Sequence, residues 1–316
     1  MHHRILLLLA APLVAICSAA QGGPDAKRFI FQGDSLLEVN QPSRAMQKYN
    51  LAVGLGATAD ALAARARGWY YQGKYTQFLA DVNRSLELDS LHPQANYQRA
   101  LYASRTDDHA ATIRFTTRAL KKSKKPELQR QTLVLRGTAE AASGRSQQAI
   151  SDLKLGIADR TDDPAAMKLL ARLLDESGDI QGSLDILEKL CAILPDDIGN
   201  WSNKGYELNR LERYNEALAT FDEALEIDKD EPVVLSNKAY ALLQLDRDAE
   251  AMATVNRSLK GDASNPFALR TRALLYLRKG DRDKACNDLS LAKAMGDGAN
   301  VDSLIKQHCA GLEPKR

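Results

Sequence analysis

The chain has 316 residues, with 43 basic and 41 acidic side chains and a formal net charge of +2 at neutral pH. This near balance gives no indication of a nucleic-acid partner or of attraction to an acidic membrane surface. The composition, rich in Ala and Leu and poor in Pro, is typical of a soluble helical protein.

Residues 1–20 differ in character from the rest of the chain. A short polar start that contains Arg4 precedes an apolar run, Ile5–Ile16, and the small residues Ser18 and Ala20 follow it. These small residues stand at the −3 and −1 positions of a signal-peptidase cleavage site. The pattern predicts a secretory signal peptide that is removed from the mature protein.

Export then places the mature chain, which we expect to begin at Gln21, in the periplasm or outside the cell. Two alternatives stay open. The apolar run could be retained as an anchor, although it is short for a transmembrane helix. Cys17 could be lipidated, but bacterial lipoprotein signals favour a small residue before that cysteine, and Ile16 is large. No later segment is apolar and long enough to span a membrane.

From about residue 26 onward the chain repeats itself with a period of 34 residues. The clearest copy is Trp201–Glu231, in which a polar break at Glu212-Arg213 separates two amphipathic segments. The position of Gly205 is always small, and its equivalents are Gly33, Ala66, Ala100, Gly137, Ala171, Ala239 and Ala273. The columns of Ala217 and Ala224 are also small except at Phe78 and Leu190. Such columns predict paired helices whose backbones approach closely and which need neighbouring pairs to bury their apolar faces.

Trp201, Gly205, Ala217 and Phe221 match positions of the tetratricopeptide repeat pattern, and this copy resembles that family. The resemblance implies an all-α fold, a right-handed α-solenoid of about eight helix-turn-helix repeats plus a C-terminal capping helix. It also implies a non-catalytic scaffold that holds a protein or an extended peptide in its concave groove.

The small-residue columns set the expected boundaries. After the signal peptide (1–20) and a leader (21–25), we expect repeats at 26–58, 59–92, 93–129, 130–163, 164–197, 198–231, 232–265 and 266–299, then a capping helix at 300–312 and a polar tail at 313–316. The third copy carries three extra residues, which predicts a longer loop at its end. Its lysine-rich end at 121–125 is either a solvated connector or a docking patch for an anionic partner.

No sequence motif indicates catalysis. His92, His109 and His308 lie in separate repeats, so no histidine cluster has the spacing of metal ligands. The nucleophile-elbow, phosphate-loop and dinucleotide-binding motifs do not occur. His308 and Cys309 are adjacent on a predicted helix and therefore point in different directions, which argues against a thiol nucleophile. We expect no enzyme activity, no cofactor and no metal.

Two cysteines indicate a disulfide. Cys286 lies on the second helix of the last repeat, and Cys309 lies on the capping helix that should pack against it. In an exported protein this pair is a candidate disulfide. Cys191 falls at a core position and is expected to be a buried apolar residue.

The resemblance also implies which residues face the groove, because the first helix of each pair lines it in this family. The candidates for peptide binding are Arg67, Tyr70, Tyr97, Arg105, Asn203, Tyr206, Arg210, Asn237, Tyr240 and Arg270. Tyrosine and arginine are enriched in protein interfaces. Asn203 and Asn237 lie one period apart, and two such amides could each bond to the N–H and C=O of a peptide unit. The alternative is that both bond only to neighbouring helices.

Two functions stay open at this point. The first is a protein- or peptide-binding scaffold of the cell envelope, and the second is a structural or assembly subunit of a larger envelope complex. A permanent partner would demand a strongly apolar groove. The candidate groove positions are mixed and mostly polar, which favours the first.

Overall fold

The computed structural model describes residues 23–158 and 162–309, and within these ranges every regular element is a helix. The chain divides into two compact units between Ser143 and Gly144. The predicted signal peptide, the lipidation candidate Cys17 and the polar tail lie outside the described residues.

The first unit is a series of antiparallel helix pairs in which each pair packs on the next. Within each pair, α1 packs on α2, α3 on α4 and α5 on α6, and α7 packs on the last pair. The helices are α1 (Pro24–Glu38), α2 (Pro42–Leu55), α3 (Ala59–Tyr71), α4 (Tyr75–Leu88), α5 (Pro93–Arg105), α6 (His109–Lys122) and α7 (Pro126–Ala142).

The second unit continues the same arrangement, with α9 packed on α10, α11 on α12, α13 on α14 and α15 on α16. An irregular turn (Lys293–Asp297), in which Gly296 has a positive φ, leads into α17 (Gly298–His308), which packs on α16. The other helices are α8 (Ser146–Ile157), α9 (Pro164–Glu176), α10 (Ile180–Ile193), α11 (Ile198–Arg210), α12 (Tyr214–Ile227), α13 (Pro232–Gln244), α14 (Asp248–Gly261), α15 (Pro266–Arg278) and α16 (Arg282–Ala292).

The turn between the two helices of each pair has the same backbone conformation throughout. One residue per turn has a positive φ, and these residues recur at the repeat period: Asn40, Gly73, Asp107, Gly144, Gly178, Glu212, Asp246 and Gly280. In the α11–α12 turn, the N–H of Glu212 donates to the carbonyl of Asn209, and the N–H of Arg213 donates to the carbonyl of Leu208. These two bonds form a Schellman motif, which satisfies the last carbonyls of α11 and reverses the chain.

The small-residue columns exist because the paired helices touch there. Gly205 faces the fully buried ring of Phe221, and a Cβ atom at this position would overlap that ring. Gly33 faces the buried Tyr49 in the same way at the start of the chain. The pairing of a small residue on the first helix with a large one on the second is what sets the distance between the two backbones.

The three extra residues of the third predicted repeat do not form a longer loop, so that expectation is wrong. Only residues 123–125 connect α6 to α7, whereas α7 itself has 17 residues against 13 in α5. Pro126 starts α7 early, because proline suits the first turn of a helix, and the insertion is absorbed as an additional turn.

A disulfide joins α16 to the end of α17. Cys286 and Cys309, the pair that the sequence singled out, are bonded with their Cα atoms 5.6 Å apart. Val301 of α17 is fully buried in the core cluster of the second unit. The terminal helix, expected at 300–312, thus runs over Gly298–His308 and covers the apolar side of the last pair.

None of the helices in the described ranges is both long and apolar enough to cross a membrane.

Candidate functional site

An open groove of about 600 Å³ lies within the second unit, between α9 and α11. It combines apolar side chains with amides, carboxylates and cations. The lining residues are Lys168, Leu169, Ala171, Arg172, Asp175, Ser183, Leu187, Asp197, Gly199, Asn200, Asn203, Tyr206 and Glu207. A groove with mixed lining of this size can hold a short stretch of polypeptide.

Asn200 is a buried amide with an unmet hydrogen bond. It lies in the first turn of α11 and is only 2% exposed. Its Nδ2 atom has no hydrogen-bond partner in the described part of the chain. A buried amide N–H without an acceptor costs roughly 1–3 kcal/mol, so this donor favours any ligand that brings an acceptor into the groove.

Glu207 is a buried carboxylate two turns further along α11. It accepts hydrogen bonds from the hydroxyl of Ser183 and from Nη1 of Arg210, both at 3.1 Å. Burial raises the pKa of this carboxyl above its usual range, and the nearby charge of Asp175 acts in the same direction. Arg210 also pairs with Asp175, so one guanidinium holds two carboxylates beside the groove. The groove therefore contains fixed charge in a partly dehydrated setting.

Both residues interrupt columns that are apolar in the other three complete helix pairs of the second unit. At the position of Asn200 those pairs have Ala166, Val234 and Ala268, which are all buried. The equivalents of Glu207 are Leu173, Ala241 and Leu275, which are also buried. Reasoning from the sequence missed both residues because it followed the surface positions. The signal in the sequence was a polar residue at a position that is apolar in the preceding and the two following repeats.

Cations and aromatic groups complete the groove. Lys168 of α9 pairs with Asp197, the N-cap of α11, and Arg172 pairs with Glu176 at 2.6 Å. Tyr206 is 45% exposed, and the guanidinium of Arg210 lies 5.7 Å from the centroid of its ring. Asn203 is exposed, with no side-chain hydrogen bond in the described residues.

The structure brings three of the predicted residues together, since Asn203 and Tyr206 line the groove and Arg210 lies beside it. Asn237 and Tyr240 belong to α13 and do not line it. The backbone carbonyl of Asn237 accepts a hydrogen bond from Nδ2 of Asn209 at 3.0 Å. Tyr240 packs edge-on against Tyr214, with ring centroids 6.4 Å apart.

Arg270 is engaged elsewhere in the second unit. Its Nη1 donates to the buried carboxylate of Asp297 at 2.7 Å, and its guanidinium lies 5.4 Å from the ring centroid of Phe267. Asp297 also accepts a hydrogen bond from Asn300 at 2.6 Å. The contacts of Arg270 therefore fasten the turn before α17.

The four candidates in the first unit also make internal contacts. Arg67 pairs with Asp34. Tyr70 and Arg105 both lie against Tyr75, at 5.7 and 5.0 Å from its ring centroid. Tyr97 is half-buried, and burial raises its pKa to about 12. These contacts tie neighbouring helices together. Nε of Arg67 is buried and has no hydrogen-bond partner in the described residues, although the same guanidinium pairs with Asp34.

In the two described ranges, no three His, Cys, Asp or Glu side chains form a group that could hold a metal ion. Cys191 is buried, and burial raises the pKa of its thiol to about 11, which keeps it protonated and unreactive at neutral pH. The lining of the groove consists of hydrogen-bonding, charged and apolar groups.

Consecutive helix pairs with small-residue contacts, and a groove lined mainly by first helices, define an α-helical repeat protein. Residues 208–275 match the family model of the tetratricopeptide repeat. This part of the chain therefore carries tetratricopeptide repeats, as the sequence pattern predicted.

Several solved structures are similar to part of this chain at low sequence identity. YrrB, described as a TPR protein with an unusual peptide-binding site, is 14% identical over 60% of this chain and 97% of its own, with a TM-score of 0.53. TTC0263, a thermophilic TPR protein from Thermus thermophilus, is 19% identical over 57% of this chain and 98% of its own, with a TM-score of 0.46. MamA from Desulfovibrio magneticus RS-1 is 14% identical over 54% and 97%, with a TM-score of 0.47. Comparison with curated protein sequences gives no match.

Proposed function

We propose that this protein is a non-catalytic scaffold and that an extended segment of a partner protein lies in the groove between α9 and α11. The tetratricopeptide repeat fold is that of a protein-interaction scaffold, which gives the general class. The observation that supports this particular groove is the pair of polar residues, Asn200 and Glu207, buried where the other complete helix pairs of the second unit have Ala, Val or Leu. Buried polar groups that weaken a core are typical of functional sites.

The chemistry of the groove suits a peptide backbone. The unmet Nδ2 of Asn200 can donate to a peptide carbonyl, and the exposed amide of Asn203 offers both a donor and an acceptor. Leu169 and Leu187 can receive an apolar side chain of the ligand. The cation of Arg172 and the ring of Tyr206 can contact polar side chains of the ligand. Contacts to the ligand main chain would then supply affinity, and contacts to its side chains would supply sequence preference.

Peptides selected from a random display library against the full mature chain test this proposal. Selected peptides should bind the parent protein, and Asn203→Ala should weaken them by about 2- to 12-fold, the equivalent of one lost hydrogen bond. Asn215→Ala is the matched control, because Asn215 is an exposed amide on the second helix of the same pair. If Asn203→Ala and Asn215→Ala bind the peptides equally, the groove is not the site.

The predicted joint role of Asn203 and Asn237 in holding the peptide backbone is tested in the same assay. Adding Asn237→Ala to Asn203→Ala should weaken binding by a further 2- to 12-fold, or about one more hydrogen bond, if the peptide reaches α13. If the double variant binds the peptides as well as Asn203→Ala alone, the ligand contacts only α9 and α11, and Asn237 has no part in binding.

We further propose that the protein is exported and works in the cell envelope. The apolar run and small residues of 1–20 support export, and the disulfide between Cys286 and Cys309 suits an oxidising compartment. The intact mass of the native protein should correspond to a chain that begins at Gln21. A mass that shows a lipid on Cys17, or the retained first twenty residues, would replace this proposal with membrane anchoring.

One observation favours the second function, that of an assembly subunit. Three large apolar side chains of the first helix pair are strongly exposed: Phe31 by 72%, Val39 by 62% and Leu55 by 59%. Large exposed apolar side chains are a feature of interaction surfaces. Affinity capture from the envelope fraction with the parent and with Phe31→Ser distinguishes the two. A stoichiometric partner lost only in Phe31→Ser supports the assembly role.

A further inference from the structure

The helix α6 and the connector after it carry only positive charge. Residues 109–126 contain six cations and no carboxylate: Arg114, Arg118, Lys121, Lys122, Lys124 and Lys125. The whole chain, by contrast, is nearly balanced, with 43 basic against 41 acidic residues. Positive charge is therefore concentrated in this segment, although the composition of the whole chain is nearly neutral.

Four of these cations form what we call the basic face: Arg114, Arg118, Lys121 and Lys124. The first three follow the spacing i, i+4 and i+7 on α6, which places them on one side of the helix over about 10 Å. All four side chains are exposed.

An aromatic ring holds the guanidinium groups of this region. Arg99 of α5, Arg114 and Arg118 lie 5.5, 5.0 and 5.7 Å from the centroid of Phe115. The guanidinium of Arg99 also lies 5.7 Å from the ring of Tyr102. Cation–π contacts restrict these side chains and leave their N–H groups available for a carboxylate. Because they share one ring, the three positive charges lie within about 11 Å of one another. This separation is close to the Debye length at physiological salt, so the charges still repel one another.

Within the described residues, no ion pair offsets this repulsion on the basic face. The only ion pair recorded for α6 joins Lys122 to Asp89 on the neighbouring connection, at 3.0 Å. Equivalent second helices are built differently. Arg84 pairs with Glu87 on α4, Arg213 with Glu216 at the start of α12, and Arg247 with Glu250 at the start of α14.

We propose that the basic face of α6 is a second docking surface, separate from the groove, for an acidic segment of a partner polypeptide. Guanidinium groups bind carboxylates through paired N–H···O bonds, and relief of the repulsion among the cations adds to the attraction. An acidic segment with carboxylates every few residues fits the linear order of the four cations.

Two other anionic partners fit less well. Binding at a membrane surface requires exposed apolar side chains beside the cations, and Ile113, Phe115 and Leu120 are all half-buried. Single-stranded nucleic acid requires open aromatic faces for base stacking, and guanidinium groups surround the ring of Phe115.

Fluorescence anisotropy with a labelled peptide of alternating Glu and Gly tests the proposal on the full mature chain. The parent should bind this probe at low salt, with affinity that falls as salt rises, and should not bind a Gln-Gly peptide. The variant R114Q/R118Q/K121Q/K124Q should bind the acidic probe roughly 5- to 50-fold more weakly, as expected for four exposed charge pairs. The variant R114K/R118K keeps the charge and should bind within about threefold of the parent.

The matched control removes the same charge from exposed lysines of the second unit: K229Q/K260Q/K279Q/K306Q. It should bind the acidic probe like the parent. Equal loss in the two four-site variants would mean that only net charge matters, and the proposal would fail. It would also fail if the parent bound anionic vesicles or oligo-dT through the basic face but did not bind the peptide. Groove variants such as Asn203→Ala should leave this measurement unchanged, so its failure and the failure of the proposed function are distinguishable.

Discussion

Replacing Asn200 by Ala should make the unbound protein more stable and the peptide complex weaker. The change gives the sixth repeat the residue that the fifth and eighth repeats have at this position, Ala166 and Ala268. Both of these alanines are buried without loss of order in their helices. The substitution therefore tests whether the buried amide serves the fold or the groove.

The magnitude follows from the environment of the amide. Removing a buried N–H donor that lacks an acceptor recovers roughly 1–3 kcal/mol. Ala also has a higher helix propensity than Asn, by up to about 0.7 kcal/mol. The lost side-chain volume opens onto the groove and creates no closed cavity. We expect the free energy of unfolding to rise by about 1–3 kcal/mol.

Urea denaturation followed by far-UV circular dichroism measures the stability, and anisotropy with the display-selected peptides measures the binding. The midpoint should move up by about 0.5 M or more, and the peptides should bind about 2- to 12-fold more weakly. Asn203→Ala is the control, because this exposed amide should affect binding while changing stability by less than about 0.5 kcal/mol. A less stable Asn200→Ala protein would show that the amide is already satisfied in the unbound fold. Unchanged peptide binding would show that it does not contact the ligand.

Three further predictions concern the energetics of the repeats. Because the pKa of Glu207 is raised in the folded protein, its contribution to stability is complete below the ordinary glutamate pKa and is lost as pH rises through the raised value. Glu207→Gln should therefore gain stability relative to the parent between about pH 4 and pH 7, as measured by urea midpoints at both pH values. Gly205→Ala should destabilise by roughly 1–3 kcal/mol through overlap with the core, whereas Gly54→Ala, in open space on α2, should be neutral or stabilising in the same thermal melts. Cys309→Ser removes the bond to Cys286 and should lower the free energy of unfolding by about 3 kcal/mol in the chain-entropy model. Hydrogen exchange should show the loss of protection confined to α16 and α17. A uniform loss of protection across both units would contradict a local role for this bond.

The sequence by itself determined the repeat, the class of fold and the pairing of helices. These features depend on contacts between residues less than one period apart, and such contacts leave a regular trace. Gly205 opposite Phe221 is one example, and the positive-φ residue of each turn is another. The prolines that start seven helices, from Pro24 to Pro266, mark boundaries for a similarly local reason.

The groove was only partly accessible from the sequence. Asn203 and Tyr206 were expected there because they occupy surface positions of a first helix, and the structure places both in the lining. Arg270 occupies a comparable position, yet it is bound to Asp297, a residue that lies in an irregular turn outside the repeat pattern. A periodic sequence pattern cannot predict a contact with a residue that occurs only once, outside the repeats.

Tertiary structure alone decided how the irregular features are used. The three-residue insertion became helix in α7 because Pro126 could start it, although the count of residues suits a loop equally well. Asn200 and Glu207 became part of a groove because α9 and α11 leave space between them, and the width of that space depends on side-chain packing across two repeats. Local periodicity encodes which helices pair. The depth, polarity and unmet hydrogen bonds of a surface between them arise only when the side chains of both are in place.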